Sequence, residues 1–146
     1  MIESLFETHI KVVNLDRSRK FYEGILGLTM GFQDPRRIHF YWIGGHNHSM
    51  LGLWENQGDI PKQHFAFCVS ITKLKEAIEL LQRHEIKTYN FFEELTDCPS
   101  VFGWMPAASI YFFDPDGHKL EFISPLEETA KPELGIISWD EWLSFS

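Results

Sequence analysis

The sequence predicts an α+β fold made of two copies of a strand–helix–strand–strand–strand unit, and three observations predict it. Short runs of alternating apolar and polar residues mark half-buried strands. Two helical patterns, at roughly 16–26 and 73–85, each follow the first strand of a series. The order of elements then restarts near residue 64.

In the first copy, "LFETHIKVV" (5–13) alternates as a strand. Asn14 to Asp16 open a helix whose Phe21, Tyr22, Ile25 and Leu26 recur at helical spacing, and Gly27 ends it. Strands at about 28–33, 37–43 and 49–55 are separated by "QDPRR" and "IGGHNHS", whose Asp-Pro and Gly-Gly pairs are turn signals. In the second copy "HFAFCVS" (64–70) is the strand, and Thr72 caps a helix with Leu74, Ala77, Ile78, Leu80 and Leu81 as its buried stripe. A strand near 86–92, a loop over 93–106, and strands near 107–114 and 118–124 complete it. Module one therefore spans about 5–56 and module two about 62–124 of one domain. Beyond them, "SWDEWLSF" (138–145) carries a capping box, Ser138 with Glu141, and a short helix apolar enough to need a surface to dock on.

Composition narrows the function. Thirteen Lys and Arg against 21 Asp and Glu give a formal charge of −8 with no basic stripe, a surface that repels phosphate backbones and anionic lipid. Nucleic acid and membrane are thus excluded as expected partners. No basic leader with an apolar core opens the chain, and no run approaches the roughly 20 apolar residues of a membrane span, so the expected location is the cytoplasm. Two cysteines, Cys68 and Cys98, make no disulfide framework and are expected to be reduced.

A repeat demands that equivalent positions carry equivalent jobs. His9 opens one copy and His64 the other, and aligning "SMLGLWE" with "HKLEFIS" sets Gly52 opposite Glu121. Alternation puts Phe65, Phe67, Leu120 and Phe122 on the faces a helix covers, and His64, Ala66, Cys68, Lys119, Glu121 and Ile123 on the other. Likewise Thr8, Ile10 and Val12 oppose Glu7, His9 and Lys11. That second face is the wet side of a one-sided sheet on the plainest account. Yet it also carries Met50, Trp54, Ala66 and Ile123, which suits a concave pocket. Two imidazoles and a carboxylate aimed into such a hollow have the composition of a metal site.

The opening "THIKVVNLDRSRKFYEGILGL", the second "HFAFCVS" and above all "DPDGHKLEF" resemble the vicinal oxygen chelate superfamily. This group holds glyoxalase I, fosfomycin-resistance enzymes, extradiol dioxygenases, methylmalonyl-CoA epimerase and bleomycin-binding proteins. The similarity covers about residues 5–124. It implies two βαβββ modules in a U-shaped, partly closed mixed sheet with helices outside, wrapped around a divalent ion (Mn, Fe, Zn, Ni or Co) held by His9, His64 and Glu121. It also implies a homodimer. Glyoxalase I has a fourth ligand, a carboxylate, where this chain has Gly52. Glu55 is nearby but falls on the opposite face of a regular strand.

With that carboxylate missing, the expected function is a metal-dependent lyase, isomerase or group-transfer enzyme acting on a small molecule whose neighbouring oxygens chelate the ion. The competing readings are an extradiol ring-cleaving dioxygenase and a metal-free sequestering protein of the bleomycin-resistance type. Lys11, Trp54, Phe91, Phe102 and Trp104 are the candidate substrate contacts. The 91–106 segment is aromatic and acidic with no Lys or Arg, which disfavours a phosphonate substrate. His39, His46 and His48 are expected to be ordinary turn and strand residues, and His118 to order the turn it follows.

Overall fold

The computed structural model describes residues 1–145 and contains two open, mixed sheets in an α+β arrangement. By contacts the chain forms two units: Met1–Gln63 with Asp114–His118, and His64–Phe113 with the chain from Lys119 onward. No described helix is long and apolar enough to cross a membrane.

The first unit runs β1 (Glu7–Val12), α1 (Leu15–Arg19), β2 (Thr29–Asp34), β3 (Ile38–Ile43) and β4 (Ser49–Glu55), with sheet order β1-β4-β3-β2. Strand β1 is parallel to β4 and the other pairs are antiparallel. Asn14 caps α1, its side chain accepting from the Arg17 amide at 2.9 Å. The helix expected to run to residue 26 widens into a π-helical segment, Lys20–Ile25. Its bond from Leu26 N–H to the Phe21 carbonyl spans five residues and lets both Phe21 and Tyr22 face inward. Gly27 follows at φ 76°, a left-handed position suited to a residue without Cβ. The core beneath α1 comprises Ile10, Val12, Leu15, Tyr22, Leu51 and Leu53, all essentially sealed from solvent. Each contributes about 1.5–3 kcal/mol by that burial.

The second unit runs β5 (His64–Cys68), α2 (Ile71–Arg83), β6 (Ser100–Phe102), β7 (Ala107–Phe113), β8 (Lys119–Pro125), β9 (Ile136–Ser138) and α3 (Trp139–Ser144). Its order, β5-β8-β7-β6-β9, repeats that of the first unit and adds one strand. Leu74, Ile78 and Leu81 of α2 are buried with Phe67, Leu120 and Phe122, the residues whose alternation marked the helix-facing side. The cap is Ser70, not Thr72, and its side chain makes no capping bond.

The strand expected near 86–92 does not form. Only Tyr89 bridges, to Leu95 and Tyr111, because Asn90 folds back to accept from the amides of Phe92 and Glu94, and Glu93 adopts φ 64°. The counterpart of β2 is instead β6, inside the expected loop. The tail docks on its own unit. Strand β9 pairs with β6, Trp142 is buried, and Lys131 lies 4.9 Å over its ring. Ser138 and Glu141 form the expected capping box.

The turn joining β7 to β8 belongs to the first unit and explains "DPDGH". Asp114 accepts from the amides of Asp116 (3.0 Å) and His118 (2.8 Å) and from the Tyr22 hydroxyl (2.7 Å). Asp116 accepts from the Val13 amide (3.0 Å) and Arg17 (2.8 Å). His118, fully buried, accepts at Nδ1 from the Gln63 amide and therefore donates from Nε2 to the Lys11 carbonyl at 2.7 Å. It orders the turn, as expected.

Glu55 points to the α1 side, as regular alternation requires. It binds Arg37 through both oxygens, at 3.0 and 2.8 Å, and accepts from the Leu15 amide at 3.0 Å. The Arg37 bonds, followed by that amide, lower its pKa from 4.5 to about 2. A carboxyl that titrates lower when folded stabilises the fold fully above about pH 4.5 and loses that contribution as pH falls toward 2. Glu55→Gln is therefore expected to be less stable than wild type at pH 7, with the difference shrinking between pH 4.5 and 2, as urea melts across that range will read.

Candidate metal centre

Strand β8 pairs in parallel with β5, setting Glu121 beside Ala66, and in antiparallel with β7, setting it beside Tyr111. Leu120 and Phe122 turn toward α2, so Glu121 must face the other way, yet it is only 5% exposed. One carboxylate oxygen, Oε2, accepts from the Ser109 hydroxyl. The other, Oε1, lies 3.1 Å from His64 Nε2. Among the described residues, His64 is the only basic side chain paired with Glu121.

His64 is oriented from behind. Its Nδ1 sits 2.9 Å from the Lys119 carbonyl, which can only accept, so Nδ1 carries the hydrogen and Nε2 presents its lone pair toward Glu121. Two electron-rich atoms at 3.1 Å need a shared proton or a cation. Two ligands each about 2 Å from one ion have this separation across one edge of its coordination shell. An imidazole that donates from its other nitrogen to a backbone carbonyl is also the usual support for a ligating histidine. The His64–Glu121 pair therefore fits a divalent ion.

Tyr111 and Lys119 complete the surroundings. Burial, then the adjacent Glu121 carboxylate, pushes the Tyr111 phenol well above its ordinary range. Its ring lies 5.9 Å from the His64 ring and 5.0 Å beneath Lys119 Nζ, which also reaches Glu93 at 3.4 Å. Phe91 packs edge-on against both Tyr111 and Phe102, so two candidate substrate contacts are brought to this side. Trp104, the third aromatic predicted from this unit, stands 63% exposed.

In the first unit, His9, Lys11 and Trp54 line one hollow of about 320 Å³ with Ile10, Pro61 and Gln63. His9 Nδ1 accepts from Trp54 Nε1 at 2.6 Å, and Nε2 is 3.3 Å from Glu7 Oε1. Phe40 meets the same ring edge-on. Gly52 lies directly opposite His9 on β4. A Cβ there would collide with His9 Nδ1 and come within 2.7 Å of Cε1, so the ring occupies the space a side chain at 52 would need. Among the described residues no three His, Cys, Asp or Glu side chains are already gathered as a ligand cluster. A larger hollow of about 380 Å³, between α2 and Trp139, holds none of the candidate residues.

Sequence reasoning missed Ser109 and Tyr111. Both share Glu121's face by alternation along β7, and that signal was available in "AASIYFF". The repeat also slips: register sets His9 beside Gly52 but His64 beside Lys119, with Glu121 two residues further on. An even slip preserves the face. His39 is buried on the α1 side and His46 packs on Trp42 at 4.9 Å, so neither joins a site.

Comparison with known proteins agrees with this architecture. A profile of the Glyoxalase/Bleomycin resistance protein/Dioxygenase superfamily matches residues 5–122, and the chain belongs to that superfamily. Metallothiol transferase FosB of Staphylococcus saprophyticus is 26% identical over 158 aligned residues, covering 97% of this chain and 94% of that one. Glutathione transferase FosA of Serratia marcescens is 27% identical over 132, covering 83% and 80%. An integron cassette protein from the mobile metagenome of the Halifax Harbour sewage outfall superposes with a TM-score of 0.72 at 35% identity, covering 84% of this chain and 99% of that one.

The contact between Gly52 and His9 has a direct test. Gly52→Ala is expected to push the imidazole aside and break its bond to Trp54, costing roughly 1–2 kcal/mol in urea denaturation. An unchanged midpoint would mean that the ring does not rest there.

Proposed function

We propose that this protein is a divalent-metal-dependent group-transfer enzyme of the glyoxalase-like type, acting on a small molecule that presents two neighbouring oxygens. The observation that carries the proposal is the buried Glu121 carboxylate facing the His64 Nε2 lone pair at 3.1 Å, a donor pair that lacks a fixed cation. His64, Glu121 and His9 are the proposed ligands. A divalent ion held by two imidazoles and one carboxylate keeps net positive charge and open positions, and supplies Lewis acidity toward substrate oxygens. Mn, Fe, Zn, Ni and Co all suit such a set.

The chain's own groups divide the remaining work. Ser109 holds the outer oxygen of Glu121, and the Lys119 carbonyl holds the His64 ring, so both donors are fixed before anything binds. Phe91, Phe102 and Tyr111 provide an apolar wall that excludes water and favours a substrate with an apolar or aromatic body. Lys11 and Trp54, beside His9, are the proposed contacts to its polar end. Group transfer is preferred over isomerisation for two reasons. The curated relatives named above are both transferases, and Gly52 removes the carboxylate that glyoxalase I places at its metal.

Protein purified without a chelating tag is expected to carry about one divalent ion per chain. Saturating metal at 100 times Kd should stabilise it by about 2.7 kcal/mol. Both effects should vanish in His64→Ala and in Glu121→Gln, read by elemental analysis and thermal melts. Persistence of full metal binding in these variants would falsify the ligand assignment. Oxygen uptake with catechols would move the assignment to a ring-cleaving dioxygenase. Failure to bind any of the five metals would favour the sequestering protein.

The proposed assembly is a homodimer. Ile2, Leu5, Phe6 and Phe32 of the first unit are exposed apolar side chains of the kind a partner surface covers. Light scattering is expected to give twice the chain mass, and Phe32→Glu to shift the protein toward the monomer.

A further inference from the structure

The first unit contains a bond that the metal reading leaves unexplained. Trp54 Nε1 lies 2.6 Å from His9 Nδ1, with the two rings 5.8 Å apart and inclined at 64°. An indole nitrogen only donates, so Nδ1 must accept, and in the neutral ring the hydrogen then sits on Nε2, facing Glu7 Oε1 at 3.3 Å. Neither nitrogen of His9 offers a free lone pair.

We propose that Trp54 is a positioning residue that latches His9 out of coordination, so that loading a metal ion requires the Trp54–His9 bond to break. The inference rests on the assignment of His9 as a ligand. Its logic covers both routes to coordination. If Nε2 is to ligate, its hydrogen must move to Nδ1, where it would confront the indole N–H, donor against donor. If Nδ1 is to ligate, the indole must leave. The same bond is lost either way.

The surroundings support a latch and not a chance approach. Gly52 opens the space in which the imidazole lies toward β4, since any Cβ there would strike it. The indole is backed by the Arg36 guanidinium, 5.6 Å over its ring. Arg36 is in turn held by Asp34 through two bonds, at 2.9 and 2.8 Å. The Asp34 carboxyl is lowered to about 2 by these bonds, so the clamp persists across the physiological range.

Trp54→Phe keeps an aromatic ring and removes only the donor. In competition titrations with a chromophoric chelator, using Mn, Zn and Ni separately, this variant is expected to bind metal on the order of 3- to 10-fold more tightly than wild type. Nitrogen-15 NMR of the metal-free wild type should show His9 as the Nε2–H tautomer, and Trp54→Phe should show a mixture. A merely structural Trp54 would not produce that change. Wild-type indole fluorescence should also shift as metal is added. Equal or weaker binding by Trp54→Phe, while His64→Ala still abolishes binding, would overturn the latch and leave the metal reading standing. No binding by wild type or Trp54→Phe would overturn the metal reading and the latch with it. An Nδ1–H tautomer in the metal-free wild type would overturn the latch alone.

Discussion

A carboxylate set between two core residues of a sheet strand has to be compensated, because an isolated charge removed from water costs many kcal/mol. Glu121 occupies such a position, between Leu120 and Phe122 on β8, where the Ser109 hydroxyl donates to it and the His64 imidazole and Tyr111 phenol lie against it. The rest of the second unit serves this placement. Helix α2 covers the Leu120 and Phe122 side, strand β5 delivers His64, and strand β7 delivers Ser109 and Tyr111. The fold thus buries a carboxylate against one hydroxyl and one imidazole.

Much of this was legible in the sequence because alternation along a strand is a geometric necessity. The two-residue period assigned His9, His64 and Glu121 to the faces away from the helices, and turned Glu55 the other way. It holds because β1, β4, β5 and β8 carry no bulge among the residues that matter. The same period places Ser109 and Tyr111, but a serine and a tyrosine in an apolar strand signal nothing until the register shows them around Glu121. The 86–92 segment was illegible for a different reason. Its hydrophobic pattern suits a strand, yet the Asn90 side chain competes for the backbone amides and folds it into turns.

Equivalence between the two halves is the subtler lesson. The repeated strand order is visible as a restart in the sequence, and β6 fills the place of β2 once the intervening loop is discounted. Register is not visible. His9 is paired with Gly52, whereas the second unit offsets His64 and Glu121 by two residues, so one unit sets an imidazole beside a carboxylate and the other an imidazole beside a glycine. Without a side chain at 52 the first-unit imidazole can lie toward its neighbouring strand, where Trp54 engages it. A carboxylate at 52 would occupy that space and forbid the bond. The absent side chain at 52 and the Trp54–His9 bond are in this sense one feature.

Three acidic residues are buried among the described residues, and their partners differ. Asp116 is paired with the fixed cation Arg17 and receives the Val13 amide. Asp114 has no cation, and burial raises its pKa, but it is satisfied by two backbone amides and the Tyr22 hydroxyl. Both compensations are intramolecular, and both lie in a turn that the first unit encloses. Asp116 takes both of its bonds on Oδ1, while its Oδ2 has no hydrogen-bond partner. Among the described residues Glu121 has neither a guanidinium nor a set of amides; its basic partner is an imidazole whose own hydrogen is directed away, to the Lys119 carbonyl. Evolution of a purely structural strand would more simply have placed an apolar residue there, since replacing buried ionic groups by apolar ones is often neutral or stabilising. At Glu121 a proton shared with His64 or a bound cation would supply the charge that the Ser109 hydroxyl lacks.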